Sequence, residues 1–517
     1  MTARATGRRP LVAAIDVGTT GARAVAYGLD GTAVAQERHP YGIRTPRPGW
    51  AEQDARDWSD GALAALRRLS ARVADAGSIR AIGLTGQCPT VVPVDGRAEP
   101  VGPGLLYRDN RAAGQAAQMR ATFGDPEFHR RTGHVPEAFH IGPKVLWLRE
   151  HEPDIFDQAR CYLQPRDVVL HRLTGVVATD ETHANATVFY DLVDRRWDSE
   201  LLEAFGLGPG LFPEALPSWQ LAAVLPADIA AEVLLEPGIP VIVGAADSQC
   251  AAYGAGLTGP GLTSEMAGAS SCLNSIVTAP LADIRITHYS YLVPDCYCTE
   301  LGVNTTGAAL DWAVRCLGYA SHDELAADAE RHLHTAAPSA AAGADPAEAA
   351  PLFLPYLGDG ERDDPSLRGA FVGLSERHGR PALAFAVIEG VALSVTAVLE
   401  VLAAAGSPTG ELLVGGGGSR MALVGQLKAD LLGLPVRHLD IDPAGLGAAM
   451  LAARSAGLAA EASAAIAAVP ARAREFRPTS AGQKREQARL DWFKRVRADA
   501  ALRQPGTAAV PATGRPR

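Results

Sequence analysis

Apolar residues along the chain fall into short blocks separated by polar, glycine-containing breaks. Residues 11–31 carry an apolar block, a Gly-Thr-Thr-Gly break and a second apolar block that ends at Asp30-Gly31, which predicts a β-hairpin. Residues 59–74 have helical spacing, whereas 79–85 and 90–94 are β-rich blocks bounded by Gly86 and Asp95-Gly96. A helical face follows at 143–150, and 162–174 reads as a short strand or turn feeding a helix. In the middle of the chain, 240–244 reads as a core strand. It leads through a polar bend at Asp247 into a small-residue helix, with a domain transition near 254–261.

The second half repeats this organisation loosely. A strand with a small-residue turn is expected at 263–273, a further strand at 289–292 and a helix at 308–317. Residues 411–414 then predict a strand entering a glycine run, followed by a helix at 421–432. The apolar stretch 382–406 is interrupted by Glu389 and Glu400, which reads as a buried helix rather than a membrane span. Residues 338–350 are alanine-rich and read as a surface insertion, 483–502 as a terminal helix and 503–517 as a frayed tail.

Composition narrows the class. The 517 residues suit two or more domains, and 47% hydrophobic content supports large buried cores. With 48 Lys and Arg against 58 Asp and Glu, the net charge is −10, which disfavours a broad nucleic-acid surface. Seven cysteines and no secretory apolar segment after the basic start point to reduced thiols in the cytoplasm.

Several segments could carry chemistry. Asp16 followed by Gly18-Thr19-Thr20-Gly21 places a carboxylate and a donor-rich turn at a strand end, suited to phosphate oxygens; an ordinary hairpin has the same local pattern. No GxxxxGK[ST] motif is present, so a P-loop NTPase is disfavoured. Asp247 lies at a strand-to-helix transition, where it serves either as a general base toward a substrate hydroxyl or as a helix N-cap. Asp109 in Tyr107-Arg108-Asp109-Asn110-Arg111 reads as a polyol anchor or as a member of a surface salt-bridge network. Gly415, Gly416, Gly417 and Gly418 enter a helix, and Ala267-Gly268-Ala269-Ser270-Ser271 offers amides and hydroxyls; each is equally a tight packing turn. The Cys296-Tyr297-Cys298 spacing is too sparse for a metal site.

Taken in order, these segments resemble the FGGY carbohydrate kinases, particularly their xylulokinase branch, from about residue 11 to 458. Further motifs that carry the resemblance are Pro48-Gly49-Trp50-Ala51-Glu52-Gln53-Asp54, Pro143-Lys144-Val145-Leu146-Trp147-Leu148, Leu163-Gln164-Pro165-Arg166-Asp167, the Asp180 region, Pro355-Tyr356-Leu357 and Gly433-Leu434-Pro435. The resemblance implies two ribonuclease-H-like, actin-like α/β domains with an interdomain active-site cleft. It divides the chain into a disordered start at 1–10, a sugar-binding domain at 11–255, a nucleotide-binding domain at 256–475, and a helical extension with a flexible tail at 476–517. It implies ATP-dependent phosphorylation of a sugar or polyol, foremost D-xylulose to D-xylulose 5-phosphate. Ribulose, another ketopentose, an alditol and gluconate are the alternative acceptors, and a noncatalytic sugar-responsive protein is a further alternative.

By the same resemblance Asp247 is the catalytic base, and Gln87, Cys88, Tyr107, Asp109 and Ser248 form the sugar pocket. Gly18, Thr19 and Thr20 contact phosphate, as do Gly268, Ala269, Ser270 and Ser271, while Gly415 to Gly418 take the adenosine side. Asp16 helps organise Mg²⁺. The branch usually has Met-His where this chain has Cys88-Pro89, Asn at Ser248 and Trp at Tyr107; at Ala269 a phosphate-turn hydroxyl is lost, with Ser270 and the amides retained. The family also allows a homodimer, and implies no nucleic-acid or membrane partner.

Overall fold

In the computed structural model of the protein, the described residues are 9–74, 77–336, 350–358, 360–361, 364, 366–417 and 421–499. The first eight residues of the expected disordered start, nearly all of the alanine-rich insertion and the tail from 500 onward lie outside them. The chain forms two compact units, each with its own mixed sheet.

The first unit comprises residues 1–259, 277–299 and 442–469. Its sheet runs Leu221–Val224, Pro240–Ile242, Ser78–Gly86, Pro10–Gly18, Gly21–Gly28, Ala33–Pro40. Pro10–Gly18 pairs antiparallel with Gly21–Gly28, closing the hairpin expected from the pattern, and parallel with Ser78–Gly86 on its other side. The inner strands are buried on both faces, which explains why their sequence shows a continuous apolar run instead of alternation. Helix Ala55–Val73 starts earlier than its spacing suggested, because the Asp54 side chain accepts the Arg56 amide and caps it. Trp58, Leu63, Leu66 and Leu69 from this helix join Ile15, Ile82, Leu84 and Val241 in one core.

Helix Pro443–Ser455 is distant in sequence yet belongs to this unit. It lies so close to the sheet that a Cβ on Gly83 would sit 2.1 Å from the Ala448 carbonyl oxygen. It meets helix Asp247–Gly254 just as tightly: a Cβ on Gly447 would lie 2.0 Å from the Cys250 carbonyl oxygen, so only glycine allows this crossing.

The second unit comprises residues 260–276, 300–441 and 470–517. Its sheet repeats the plan of the first. Hairpin strands Leu262–Ala267 and Ser271–Val277 pair antiparallel, Leu262–Ala267 pairs parallel with Glu411–Gly415, and that strand pairs parallel with Val436–His438. Arg474–Phe476 adds antiparallel at the end, as Leu221–Val224 does in the first unit. The two sheets make the α/β architecture of two ribonuclease-H-like domains concrete.

Helix Arg380–Ala404 is long and apolar enough by composition to cross a membrane, but most of it is buried within this unit, including Glu389. Helix Ser480–Arg497 packs here too, through Leu490 and Phe493.

Candidate active site

Strand register gathers the chemistry of the first unit. Asp16 is paired with Thr85, and Thr85 with Ala245; one residue on, Val17 is paired with Gly86, and Gly86 with Ala246. Three adjacent parallel strands therefore end level with one another, and the residues that follow are Gly18, Gln87 and Asp247. Ligands of open α/β sheets bind beyond the carboxyl ends of such strands, where side chains and turn amides are free of the ladder.

The first turn is held by its neighbours. The Tyr41 hydroxyl donates to the Gly18 carbonyl at 2.7 Å, Gln53 Nε2 to the Thr19 carbonyl at 2.7 Å, and Arg38 Nη2 to the Thr20 hydroxyl at 2.7 Å. Buried Gln87 donates to Gln53 Oε1 at 3.1 Å, and Gln53 Oε1 also accepts the Trp58 indole at 2.8 Å. Gln53 thus ties the turn to the Gln87 strand end. Its motif marks the segment in sequence, but its role needs the fold.

Asp247 is the first residue of helix Asp247–Gly254, and the N-cap position belongs to Ala246, so the N-cap alternative is not realised. Its Oδ1 accepts the Ser248 amide at 2.8 Å, and the carboxylate is half-buried beside a half-buried Ser248. Burial pushes the pKa of the Cys250 thiol up to about 12, and the carboxylates of Asp180, Asp247 and Asp16 act in the same direction.

Asp16 keeps a largely buried carboxylate. Burial raises its pKa against the pull of Arg23, whose Nη2 lies 3.1 Å from Oδ2. Arg23 also reaches Asp442 at 2.8 Å, and the Tyr27 hydroxyl donates to Asp442 at 3.3 Å. Carboxylate oxygen is the donor chemistry Mg²⁺ prefers, and that ion usually takes only one or two protein carboxylates beside substrate phosphates. Asp16 fits the ion in this sense. Among the described residues no group of three or more His, Cys, Asp or Glu is placed to hold a metal ion.

The remaining pocket candidates divide. Cys88 is half-buried and Tyr107 is exposed. Asp109 is fully buried, with Oδ2 accepting the Ala51 amide at 2.6 Å and both oxygens bound by Arg111. Arg111 continues to Glu52 at 2.8 Å and stacks over Trp50. The salt-bridge alternative for Asp109 is therefore realised, in the interior instead of on the surface, and it organises the loop that carries Tyr107.

Lys144, which the sequence marks only as part of a motif, joins two loops of this region. Fully buried, its Nζ donates to the Leu106 carbonyl at 2.7 Å and the Pro89 carbonyl at 3.3 Å. Burial pushes its ammonium down to about 7, with Asp109 pulling the other way. The folded protein then holds this proton less tightly than the unfolded chain, so folding stability attributable to Lys144 rises with pH above about 7. The stability of wild type relative to Lys144→Met should increase between pH 7 and 9 by on the order of 1 kcal/mol per pH unit. Denaturant midpoints of both proteins at the two pH values test this, and a constant difference would count against it.

In the second unit the turn Gly268 to Ser270 is exposed, and it occupies the same place in the sheet plan as the Thr19-Thr20 turn. The Thr306 and Ala308 amides donate to the Ala269 carbonyl, each at 3.0 Å, and the Gly307 amide to the Gly268 carbonyl at 3.1 Å. Ser271 is buried and donates to Glu265 at 2.8 Å, which in turn binds Lys428 at 2.5 Å. Ser271 is therefore engaged below the turn, leaving Gly268, Ala269 and Ser270 as its open part. Met266 pairs with Gly415, so the glycine run emerges beside this turn. Gly416 has φ +92, and a Cβ there would lie 2.3 Å from the Ala267 carbonyl oxygen. Gly417 is exposed, and Gly418 lies outside the described residues.

The N-terminal domain of the FGGY family of carbohydrate kinases matches residues 11–254, and the C-terminal domain of that family matches 265–456. The chain is 28% identical over 446 residues to the xylulose kinase of Escherichia coli (strain K12), across 85% of this chain and 88% of that protein. It is 29% identical over 511 residues to the glycerol kinase of Janthinobacterium sp. (strain Marseille), across 94% of this chain and 98% of that protein. The crystal structure of xylulose kinase from Rhodospirillum rubrum superposes with a TM-score of 0.84 at 29% identity, covering 94% of this chain and 98% of that one.

Proposed function

The chain belongs to the FGGY family of carbohydrate kinases, and from that premise we propose that this ATP-dependent sugar kinase phosphorylates D-xylulose to D-xylulose 5-phosphate, with Asp247 as general base. The observation that carries this reading is the register that levels Gly18, Gln87 and Asp247 at the ends of three neighbouring strands. The match to xylulose kinases over most of the chain supports the acceptor.

In this reading Gln87, Cys88, Tyr107 and Ser248 face the sugar, and Asp109 anchors the Tyr107 loop through Arg111. Asp247 accepts the proton of the attacking hydroxyl as that oxygen bonds to the γ-phosphorus of ATP and the bond to the ADP oxygen breaks. The turn at Thr19 and Thr20 and the turn at Gly268, Ala269 and Ser270 hold phosphate oxygens through amides and hydroxyls. Gly415, Gly416 and Gly417 leave room for the adenosine side. Asp16 would help hold Mg²⁺, which when bound would neutralise phosphate charge. A cytoplasmic location suits a kinase that acts on soluble sugars and ATP, and the net charge of −10 disfavours a broad nucleic-acid surface.

The similarity to a glycerol kinase favours one second reading, a shorter polyol as acceptor. A coupled assay for ADP formation with MgATP and D-xylulose, D-ribulose, glycerol or D-gluconate separates these, with the phosphorylated carbon assigned by NMR. D-xylulose should give the highest kcat/KM and the 5-phosphate. A higher value with glycerol would replace the acceptor, and no turnover with any of the four would reject the kinase assignment for these acceptors.

A further inference from the structure

The backbone that delivers Asp247 is irregular. Strand Pro240–Ile242 ends, Gly244 takes φ +86, and Ala245–Ala246 resumes against the neighbouring strand, two residues before the helix begins. A Cβ on Gly244 would lie 2.1 Å from the Leu84 carbonyl oxygen, so the bend is pressed against that strand. Backbone groups at such a break lose regular partners and need specific ones.

Those partners come from one place. The Val243 carbonyl accepts from Arg166 Nη1 at 2.5 Å, the Gly244 amide donates to the Ser218 carbonyl at 2.9 Å, and the Ala246 amide donates to the Thr182 hydroxyl at 2.9 Å. All three supports end on Asp180. Arg166 Nη2 lies 3.0 Å from its Oδ1, and the Thr182 and Ser218 hydroxyls each donate to its Oδ2 at 2.7 Å. His183 Nδ1 completes the set at 2.6 Å from Oδ1. Asp180 has no exposed surface. Burial alone would raise its carboxyl, but His183, Arg166 and Ser218 hold it well below the usual carboxylate range, so it remains an acceptor for every one of these bonds.

Asp180 also caps helix Glu181–Asn185 by accepting the Thr182 and His183 amides. Capping a five-residue helix accounts for those two bonds. It does not account for Arg166, Ser218 and Thr182 each passing on to the bend at 243–246. We propose that Asp180 is the positioning residue for the Asp247 carboxylate, acting through Thr182, Ser218 and Arg166 on the backbone that precedes it. This rests on Asp247 being the base. Displacement of a reacting group by about 1 Å costs on the order of 100-fold in rate, so a loosened bend acts on turnover more than on substrate binding.

The link nearest the base is the Thr182 hydroxyl, and its removal is the test. Thr182→Val, Thr182→Ser, Asp247→Asn and the Thr182→Val/Asp247→Asn double variant are assayed with MgATP and the best acceptor, alongside thermal midpoints. Thr182→Val should lower kcat roughly 10- to 100-fold with both KM values within about twofold. Thr182→Ser, which keeps the hydroxyl, should recover most of the loss. In the Asp247→Asn background the same valine should change the residual rate by less than about twofold, because there is no base left to misplace. If valine packs poorly and the protein does not fold, Thr182→Ala carries the same expectations.

Wild-type turnover by a folded Thr182→Val while Asp247→Asn is inactive would overturn the positioning role and leave the base intact. An equal loss in both backgrounds would overturn it as well, by showing general damage. Full activity in Asp247→Asn would instead remove the base assignment, and the positioning role with it.

Discussion

Asp247→Asn should lower kcat by about two to four orders of magnitude, the range that a positioned general base contributes. Asparagine has the shape of aspartate, and its Oδ1 can accept the Ser248 amide that Asp247 Oδ1 accepts at 2.8 Å, so the start of helix Asp247–Gly254 keeps its local bond. What disappears is the site that takes up a proton. Acceptor binding measured by calorimetry should therefore change little while single-turnover phosphoryl transfer collapses. A variant that binds the sugar and turns over at the wild-type rate would place proton removal elsewhere.

The strand ends that carry this chemistry were legible because glycine, threonine and aspartate interrupt apolar runs there. Gly18-Thr19-Thr20 and Asp247 stand out in one dimension for that reason. The repeated plan of the two sheets was visible only as a loose echo, since the hairpins at 11–31 and 263–273 share pattern and little sequence. The turn chemistry of Gly268, Ala269 and Ser270 could be read in the same way, but its support could not. Thr306, Ala308 and Gly307 hold that turn from nearly forty positions away, through backbone groups that carry no residue signal.

Partners brought in by the fold were the least legible. Residues 443–453 are apolar throughout, which declares burial without saying against what. Their place on the first sheet depends on Gly83, Gly254 and Gly447, glycines whose lack of a side chain has meaning only once the opposing backbone is known. Asp109 illustrates the converse. Its motif stands out in the sequence, but the burial of both oxygens under Arg111 and the Ala51 amide follows from the meeting of two segments distant in sequence. Asp180 and Lys144 likewise lie in segments marked by resemblance, and their roles follow from which carbonyls, amides and hydroxyls the fold brings to them.

The largest stability effect is expected in the second unit, at Arg489. Helix Ser480–Arg497 carries it into the interior, where its side chain is 3% exposed. Nε lies 2.9 Å from Glu389 Oε1, Nη2 pairs with Glu389 Oε2, and Nη1 and Nη2 donate to the Ala350 and Pro351 carbonyls at 2.8 and 3.2 Å. Arg489→Met leaves the buried Glu389 carboxylate and the two carbonyls without this partner. Removing one member of a buried ion pair typically costs about 3–5 kcal/mol. At about 2–4 °C per kcal/mol for a domain of this size, the unfolding transition of the second unit should fall by on the order of 10 °C. Glu486, also buried, faces the same pair: burial and Glu389 raise its carboxyl to about 8, against the pull of Arg485 and Arg489. The Glu389→Met/Arg489→Met double variant separates charge from packing, because removing both members of a buried pair abolishes the stranded charge. It should recover much of the lost stability, so a double variant as unstable as Arg489→Met would show that the stranded Glu389 charge is not what destabilises the single variant.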